Sequence, residues 1–535
     1  MAEATRPSDS AATTEVATDP KLPILLAMAM FVLVVDTSLM NVSISAVVKD
    51  LQTTASGVQS AIALEALVSA AFILIGSKVG DLIGRKKAYT LGLLGYAVGA
   101  IAMTLAQSLV PIIIFWAIIG GLGASLLLPA MQSLIHGNFE GAAQKRVYAL
   151  VGAAAAIAAA VGPLIGGFVT TFLSWRVGFL GEAIIIAIVL SGLGLVKDAP
   201  YTGSRKTDPV GGLLSVVGMG GIVLGILLWE GGSTGVILLM AIGGAALLAF
   251  AWWLRRQKAA GKPVLIDPSL FSSKVFRYGV SGQLLQQIAL GGTMIVLPLY
   301  LQMVFAYNAL QAGLSLAPLS LSMFVIALLA GRRAGKRRAS TIIRAGFLLV
   351  LVGIVALVPL IPRADNGLAL AIPLVLAGCG LGLLVSQLNN YTLAPISEER
   401  VSEAAGVNSA AGSFGLSFGL AFAGAIMLAA LAVNFTSLSN ASTVLPPEDK
   451  VRVAEVLEQD AQIVTDAQLD SLLDGQPQEI QDEILRINDE ARDLALQVAL
   501  LVPIIAALLG FLNSFRMARE PEPEPSADLE GMVLG

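Results

Sequence analysis

Apolar runs of about twenty residues recur along the whole chain, near 23–46, 57–78, 88–108, 111–135, 147–170, 179–196, 210–229, 234–254, 279–304, 311–331, 341–361, 368–391, 404–431 and 495–515. A helix of that length matches the hydrocarbon thickness of a bilayer. Over half of the 535 residues would then lie in lipid, and no large soluble catalytic domain remains. Only 13% of residues are charged, whereas soluble domains carry about a quarter. The expected fold class is an all-α integral membrane protein with 14 transmembrane helices.

Chemistry is narrowed further by two counts. One cysteine, Cys379, allows no intramolecular disulfide, and one histidine, His136, leaves no His/Cys metal cluster. No metal and no cofactor is expected. A net charge of −4 says little by itself, because in membrane proteins the placement of charge is what informs. Nucleic acid is not an expected partner; the bilayer is, and the chain is read as a monomer.

Placement gives orientation. With the N-terminus inside, only Lys49, Arg176, Arg363, Lys450, Arg452, Arg486 and Arg492 of the 33 basic residues fall outside. The positive-inside rule puts both termini in the cytoplasm, and the clusters Arg85-Lys86-Lys87, Arg255-Arg256 and Arg332-Arg333 recur on alternate loops as it demands. The expected location is the plasma membrane, the inner membrane of a bacterium. Residues 1–22 and 516–535 read as disordered cytoplasmic tails, 23–196 as a first group of six helices, 197–278 as two further helices with a basic linker, and 279–515 as a second six. Within the last, 432–494 holds 14 acids against 4 bases and reads as an acidic extracellular lobe. Apolar residues there, at Val453, Val456, Leu457 and then Ile480, Ile484 and Leu485, recur at helical spacing and predict two or three short amphipathic helices.

Several motifs carry a family resemblance. Ser77-Lys78-Val79-Gly80-Asp81-Leu82-Ile83-Gly84-Arg85-Lys86-Lys87 resembles the inner-loop signature of the major facilitator superfamily, with Asp81, Gly84, Arg85 and Lys86 matching. Gly162-Pro163-Leu164-Ile165-Gly166-Gly167 resembles the antiporter signature of drug exporters in that superfamily, where proline and small residues bend the helix and allow close packing. Asp36-Thr37-Ser38-Leu39-Met40-Asn41-Val42 is similar to a stretch typical of fourteen-helix drug:proton antiporters. Ser174-Trp175-Arg176 and Asp267-Pro268-Ser269-Leu270-Phe271 are similar too. One position departs: Ala117, next to Trp116, stands where the family carries an arginine linked to proton coupling.

The resemblance implies two six-helix bundles of inverted repeats with the seventh and eighth spans inserted between them, and a substrate cavity near the midplane. It implies gating by Asp81, Gly84, Arg85, Gly162, Pro163, Gly166 and Gly167. Asp81 is read as capping the positive N-terminus of a helix in the other bundle.

Ionisable residues deep in lipid are expensive and functional by default, and Asp36 and Glu65 lie deepest, at similar depth with no balancing deep base. They are the expected proton or cation site, a pair able to keep a proton and release it when a cation arrives. Glu65, Ser69, Phe72 and Gly76 fall on one helical stripe. Asn41, Ser69, Phe72, Trp116, Gln286, Gln287, Gln387 and Asn390 are the candidate cavity residues, the glutamines serving equally well as contacts between helices. Glu182 and Glu230, at outer helix ends, are expected to be solvated, and His136 to be interfacial. The expected function is secondary active, proton-coupled export of amphipathic or cationic compounds of the multidrug efflux type. Export of a lipid or other metabolite, and nutrient symport or uniport, stay open. An intramembrane enzyme lacks a convergent acid/base or metal set.

Overall fold

A computed structural model describes residues 20–521 except 140, 199–207, 229–233, 332–336, 397, 447–449 and 451–476. Among the described residues, 14 helices are long and apolar enough to cross a membrane. They are α1 Lys21–Leu51, α2 Ala55–Ile83, α3 Arg85–Leu105, α4 Leu109–Ile135, α5 Gly141–Phe172, α6 Trp175–Ser191 and α7 Pro209–Leu227. The rest are α8 Thr234–Ala259, α9 Lys274–Met303, α10 Ala309–Gly331, α11 Ala339–Leu360, α12 Ala371–Leu393, α13 Glu398–Ala441 and α14 Gln478–Met517. Residues 1–19 and 522–535 of the expected tails, Arg332-Arg333, Glu230, Val453, Val456 and Leu457 lie outside the described residues, as does the side chain of His136. Lys21 and Leu22, by contrast, open α1, and Arg516 and Met517 close α14, so those parts of the expected disordered tails are helical.

Helices α1–α6 pack on one another, and so do α9–α14. The two bundles meet mainly where α2 lies along α13 and α5 along α10. Helices α7 and α8 form a separate hairpin whose backbones touch at Gly221 and Gly243: a Cβ on Gly221 would lie 2.8 Å from the Gly243 Cα. In lipid this kind of close approach replaces the hydrophobic drive available in water. Helix α7 rests on both α2 and α13, so the inserted hairpin lies against the seam between bundles. Its entry is fixed by Asp208, which accepts from Gly211 N at 2.9 Å, Trp253 Nε1 at 3.0 Å and Leu265 N at 3.3 Å.

Two ends of the molecule are distinguished by charge, a basic face with Arg85-Lys86-Lys87 and Arg255-Arg256, and an acidic face with Glu479, Asp482, Glu483 and Glu490 of α14. On the acidic face, Ser174-Trp175-Arg176 acts as a knot. Arg176 pairs with Asp50 at the end of α1 and donates to the Ala106 carbonyl just past α3 at 2.5 Å. Trp175 Nε1 donates to Asp50 at 3.0 Å. A cation beside a helix C-terminus also meets the negative end of the helix dipole. On the basic face, Asp267-Pro268-Ser269-Leu270-Phe271 docks the linker onto α13. Asp267 N donates to Glu403 Oε1 at 2.5 Å, Arg400 Nη1 donates to Ser269 Oγ at 3.0 Å, and Leu270 is buried with Phe276, Leu393 and Ala404. Burial pushes the Asp267 carboxyl up, but the Lys258 ammonium and the Ser269 donors outweigh it and hold it below the usual carboxylate range.

The acidic segment 432–494 needs a correction. Residues up to Ala441 continue α13, which is 44 residues long, and residues from Gln478 belong to α14; at 1.5 Å per residue α13 spans about 66 Å, twice the hydrocarbon thickness. Ile480, Ile484 and Leu485 therefore lie on an extension of the last span. The helix goes on because its apolar stripe stays in register: Ile484, Ile487, Ala491 and Ala495 are buried on one side, against a core that includes Phe435 and Leu445. Charge marks where lipid ends, not where the helix ends. Arg492, 4% exposed, donates through Nη1 to the Met303 carbonyl at 3.1 Å, closing the C-terminus of α9.

Deleting all of 432–494 would thus remove part of the packed protein. Phe435→Ala and Ile487→Ala are each expected to cost about 2 to 5 kcal/mol, read as a lower melting temperature in detergent. Unchanged melting in both would show that the extension is not packed as described.

Candidate functional site

The first bundle holds a cluster of carboxyls in its interior. Asp36, midway along α1, is fully buried. Tyr96 of α3 donates its hydroxyl to Asp36 Oδ2 at 2.5 Å, and Trp116 of α4 directs Nε1–H at both oxygens, each at 3.1 Å. Trp116 reaches it because Ile112–Gly120 winds as a π-helix, which changes the direction of every side chain in that turn; such segments recur at functional sites. The Trp116 ring is braced edge-on by Phe179 of α6, with centroids 6.3 Å apart. Ala117, fully buried, offers no donor.

Glu65 on α2 is 7% exposed and lies close enough to Asp36 and Tyr96 for direct electrostatic interaction. Glu182 corrects the sequence reading. Expected in solvent, it is 3% exposed and within hydrogen-bonding reach of the Asp36 carboxyl. Its carboxyl points into the bundle from the α6 face that also carries Phe179 and Ile186, so proximity to a helix end did not mean access to water. The lysines and arginines of α1, α2, α3 and α6, namely Lys21, Lys49, Lys78, Arg85, Lys86, Lys87 and Arg176, stand within about two turns of the helix ends, and Leu109–Ile135 of α4 holds none.

The antiporter-like stretch of α5 joins three helices. Gly162 and Gly166 seat α1: a Cβ there would stand 2.6 Å from Ser38 Cβ and 2.8 Å from Leu39 Cα. Gly167 and the Pro163 carbonyl seat α10, where a Cβ on Gly167 would lie 2.5 Å from the Ala309 carbonyl oxygen and Gly313 packs on Pro163. Leu310 N donates to Thr171 Oγ1 at 3.1 Å in the same place. Across the other half of the seam, Ser417 Oγ of α13 donates to the Ala63 carbonyl of α2 at 2.7 Å, and Gly424 of α13 abuts Gln59. These contacts belong to the acidic half of the bundles.

At the basic face, Arg85 Nη2 and Asp81 Oδ1 pair at 3.2 Å. Between α2 and α3, Gly84 has φ +99°, a conformation that favours glycine, and a Cβ there would meet the Asp198 carboxylate at 2.8 Å. Asp198 was not singled out from sequence. It accepts from Lys86 N at 3.0 Å, capping α3, while Lys86 Nζ donates to the Val196 carbonyl at 2.7 Å. The signal available was an acid placed directly after the sixth apolar run on an otherwise basic loop.

The remaining candidate residues are dispersed. Asn41, Ser69, Gln286 and Gln387 are buried, while Phe72, Gln287 and Asn390 are half-buried. Trp116 lies inside the first bundle, and Gly76 of the α2 stripe packs on α4 at Ser125. Gln283 and Gln287 lie against Gly412 and Gly415 of α13, a helix contact.

Two helical bundles meeting along a seam, with ionisable groups at mid-depth, are the architecture of a membrane transporter. The family model of the Major Facilitator Superfamily matches residues 26–420, and the chain belongs to that family. It is 26% identical over 409 residues to the multidrug resistance protein Stp of Mycobacterium tuberculosis, covering 75% of this chain and 74% of that one. It is 28% identical over 392 residues to the quinolone resistance protein NorB of Staphylococcus aureus, covering 71% and 82%. A bacterial homolog of the human lysosomal transporter Spinster, solved inward-facing and unoccupied, superposes with a TM-score of 0.60 over 93% of this chain and 97% of that one, at 13% identity, a likeness of fold.

Close contact at Gly167 predicts how the seam responds to bulk. Gly167→Ala places a methyl against the backbone of α10, which cannot step aside as a side chain could, so the acidic-face contact should part. Labelling of single cysteines on that face should rise by roughly fivefold, the shift that about 1 kcal/mol produces. Unaltered labelling would remove α5 and α10 from the gate.

Proposed function

We propose that the protein is a proton-coupled exporter of amphipathic, cationic compounds, working by alternating access in the plasma membrane with its basic face and both termini in the cytoplasm. The observation that carries this reading is the mid-depth acidic cluster around Asp36 and Glu65, in spans whose lysines and arginines stand towards the ends. Such a site attracts cations and protons alike, and competition between them for one negative charge links their movements. The names of the relatives, multidrug and quinolone resistance proteins, agree with export of foreign compounds. Packing of α5 on α10 and of α2 on α13 in the acidic half supports assigning this conformation to the inward-facing side of the cycle.

Reconstitution tests the reading directly. In proteoliposomes with an imposed proton gradient, a panel of lipophilic cations, neutral drugs and lipids is offered, and substrate-dependent proton flux is recorded. Asp36→Asn should abolish proton-driven transport while leaving folding intact. Glu65→Gln should weaken coupling or narrow the range towards neutral compounds. Full pH-dependent exchange of cations by both variants would overturn the carboxylate mechanism and leave uniport or lipid handling.

A further inference from the structure

We propose that Glu182 and Asp36 form a carboxyl pair that holds the transported proton between them, with Glu182 as the group that binds and releases it. The inference rests on the proton-coupled reading and identifies where the proton sits.

Three observations carry it. First, Glu182 is 3% exposed, and neither of its carboxyl oxygens receives a hydrogen bond from any described residue. A buried carboxyl left that way is costly unless something else satisfies it. Second, its neighbour is the Asp36 carboxyl, within hydrogen-bonding reach. Ionised, both are acceptors only and repel; protonated once, the pair makes an O–H···O bond. Third, Asp36 is furnished as the ionised member, its two oxygens taking donors from Tyr96 and Trp116, so the proton belongs on Glu182.

The surroundings agree. Helix α6 packs on α1, α3 and α5. The ionisable groups facing Glu182 are Asp36 of α1 and Tyr96 of α3, with Glu65 of α2 beyond them. Tyr89 of α3 lies two turns nearer the basic face, and the charged residues of α5 stand at its basic end. None of these is a cation beside the pair. In the loaded state Glu182 donates its O–H to Asp36. When a cationic substrate arrives, that O–H bond breaks, the proton passes to cavity water, and the pair changes from one negative charge to two.

The test uses the full-length protein in proteoliposomes, with tetraphenylphosphonium as the cationic probe and a trapped pH indicator. The wild type should move protons against the probe. In Glu182→Gln, whose amide permanently donates to Asp36, proton movement should fall by about tenfold, the effect of one pK unit of differential interaction, and the pH dependence should flatten while probe binding persists. Glu182→Asp should recover part of the flux. Wild-type flux coupled to protons but unchanged in Glu182→Gln overturns the pair and leaves the exporter reading standing. A wild type that moves every cation in the panel without protons overturns the exporter reading itself. If the glutamine variant does not fold, infrared difference spectra of Glu65→Gln decide the matter. A protonated carboxyl band that shifts on probe binding supports the pair, and its absence at neutral pH overturns it.

Discussion

A carboxyl group inside hydrocarbon has no water to turn to, so the helices around it must supply its partners or leave it neutral. Asp36 imposes that constraint on the first bundle. Its donors come from α3 and α4, and the phenyl ring that holds one of them in place comes from α6. Four helices are thereby tied to one side chain. The π-helical turn of α4 follows from the same demand, since it brings the Trp116 indole round to the carboxyl. Local strain in a helix is tolerated where a buried group depends on the result.

Between the bundles the contacts are of another kind. The seam at α5 and α10 is made of glycines, a proline carbonyl and a single hydroxyl bond from Leu310 N to Thr171. Small residues let backbones touch over a broad, nearly featureless surface, which can part without exposing buried charge. Side-chain hydrogen bonds anchor Asp36 within the first bundle and are sparse between the bundles, so the two halves are suited to move as units. The linker joining them is held at the basic end by Arg400 and Glu403 of α13, and α7 covers the seam beside α2 and α13.

Much of this was legible in the sequence because hydrocarbon thickness is a length that residues must match. The fourteen spans and the depth of Asp36 and Glu65 follow from it. What linear reading misjudged was direction. Glu182 lies two turns from the start of α6, close enough to an end to read as solvated, yet the side chain points inward. Trp116 could not be assigned to Asp36 by a period of 3.6, because the turn that carries it does not keep that period. The acidic run before Ile484 hid a helix whose buried stripe continues that of the membrane span. Asp198 sat in view, but its role depends on a glycine at position 84 with positive φ, a relation between residues far apart in the chain.

Ala117 stands where the family resemblance places an arginine, and its neighbour Trp116 now explains how the site does without one. A guanidinium beside Asp36 would neutralise it permanently and fix the charge of the cluster. Indole and phenol donors stabilise the carboxylate while adding no charge, so the net charge of the site is set by whatever positive species occupies it. With Glu65 and Glu182 close by, one proton more or less changes the field across the whole first bundle, because at mid-depth little screening is available. The absent arginine therefore removes a fixed charge from the cluster: neutral donors hold the geometry, and the charge is left free to vary.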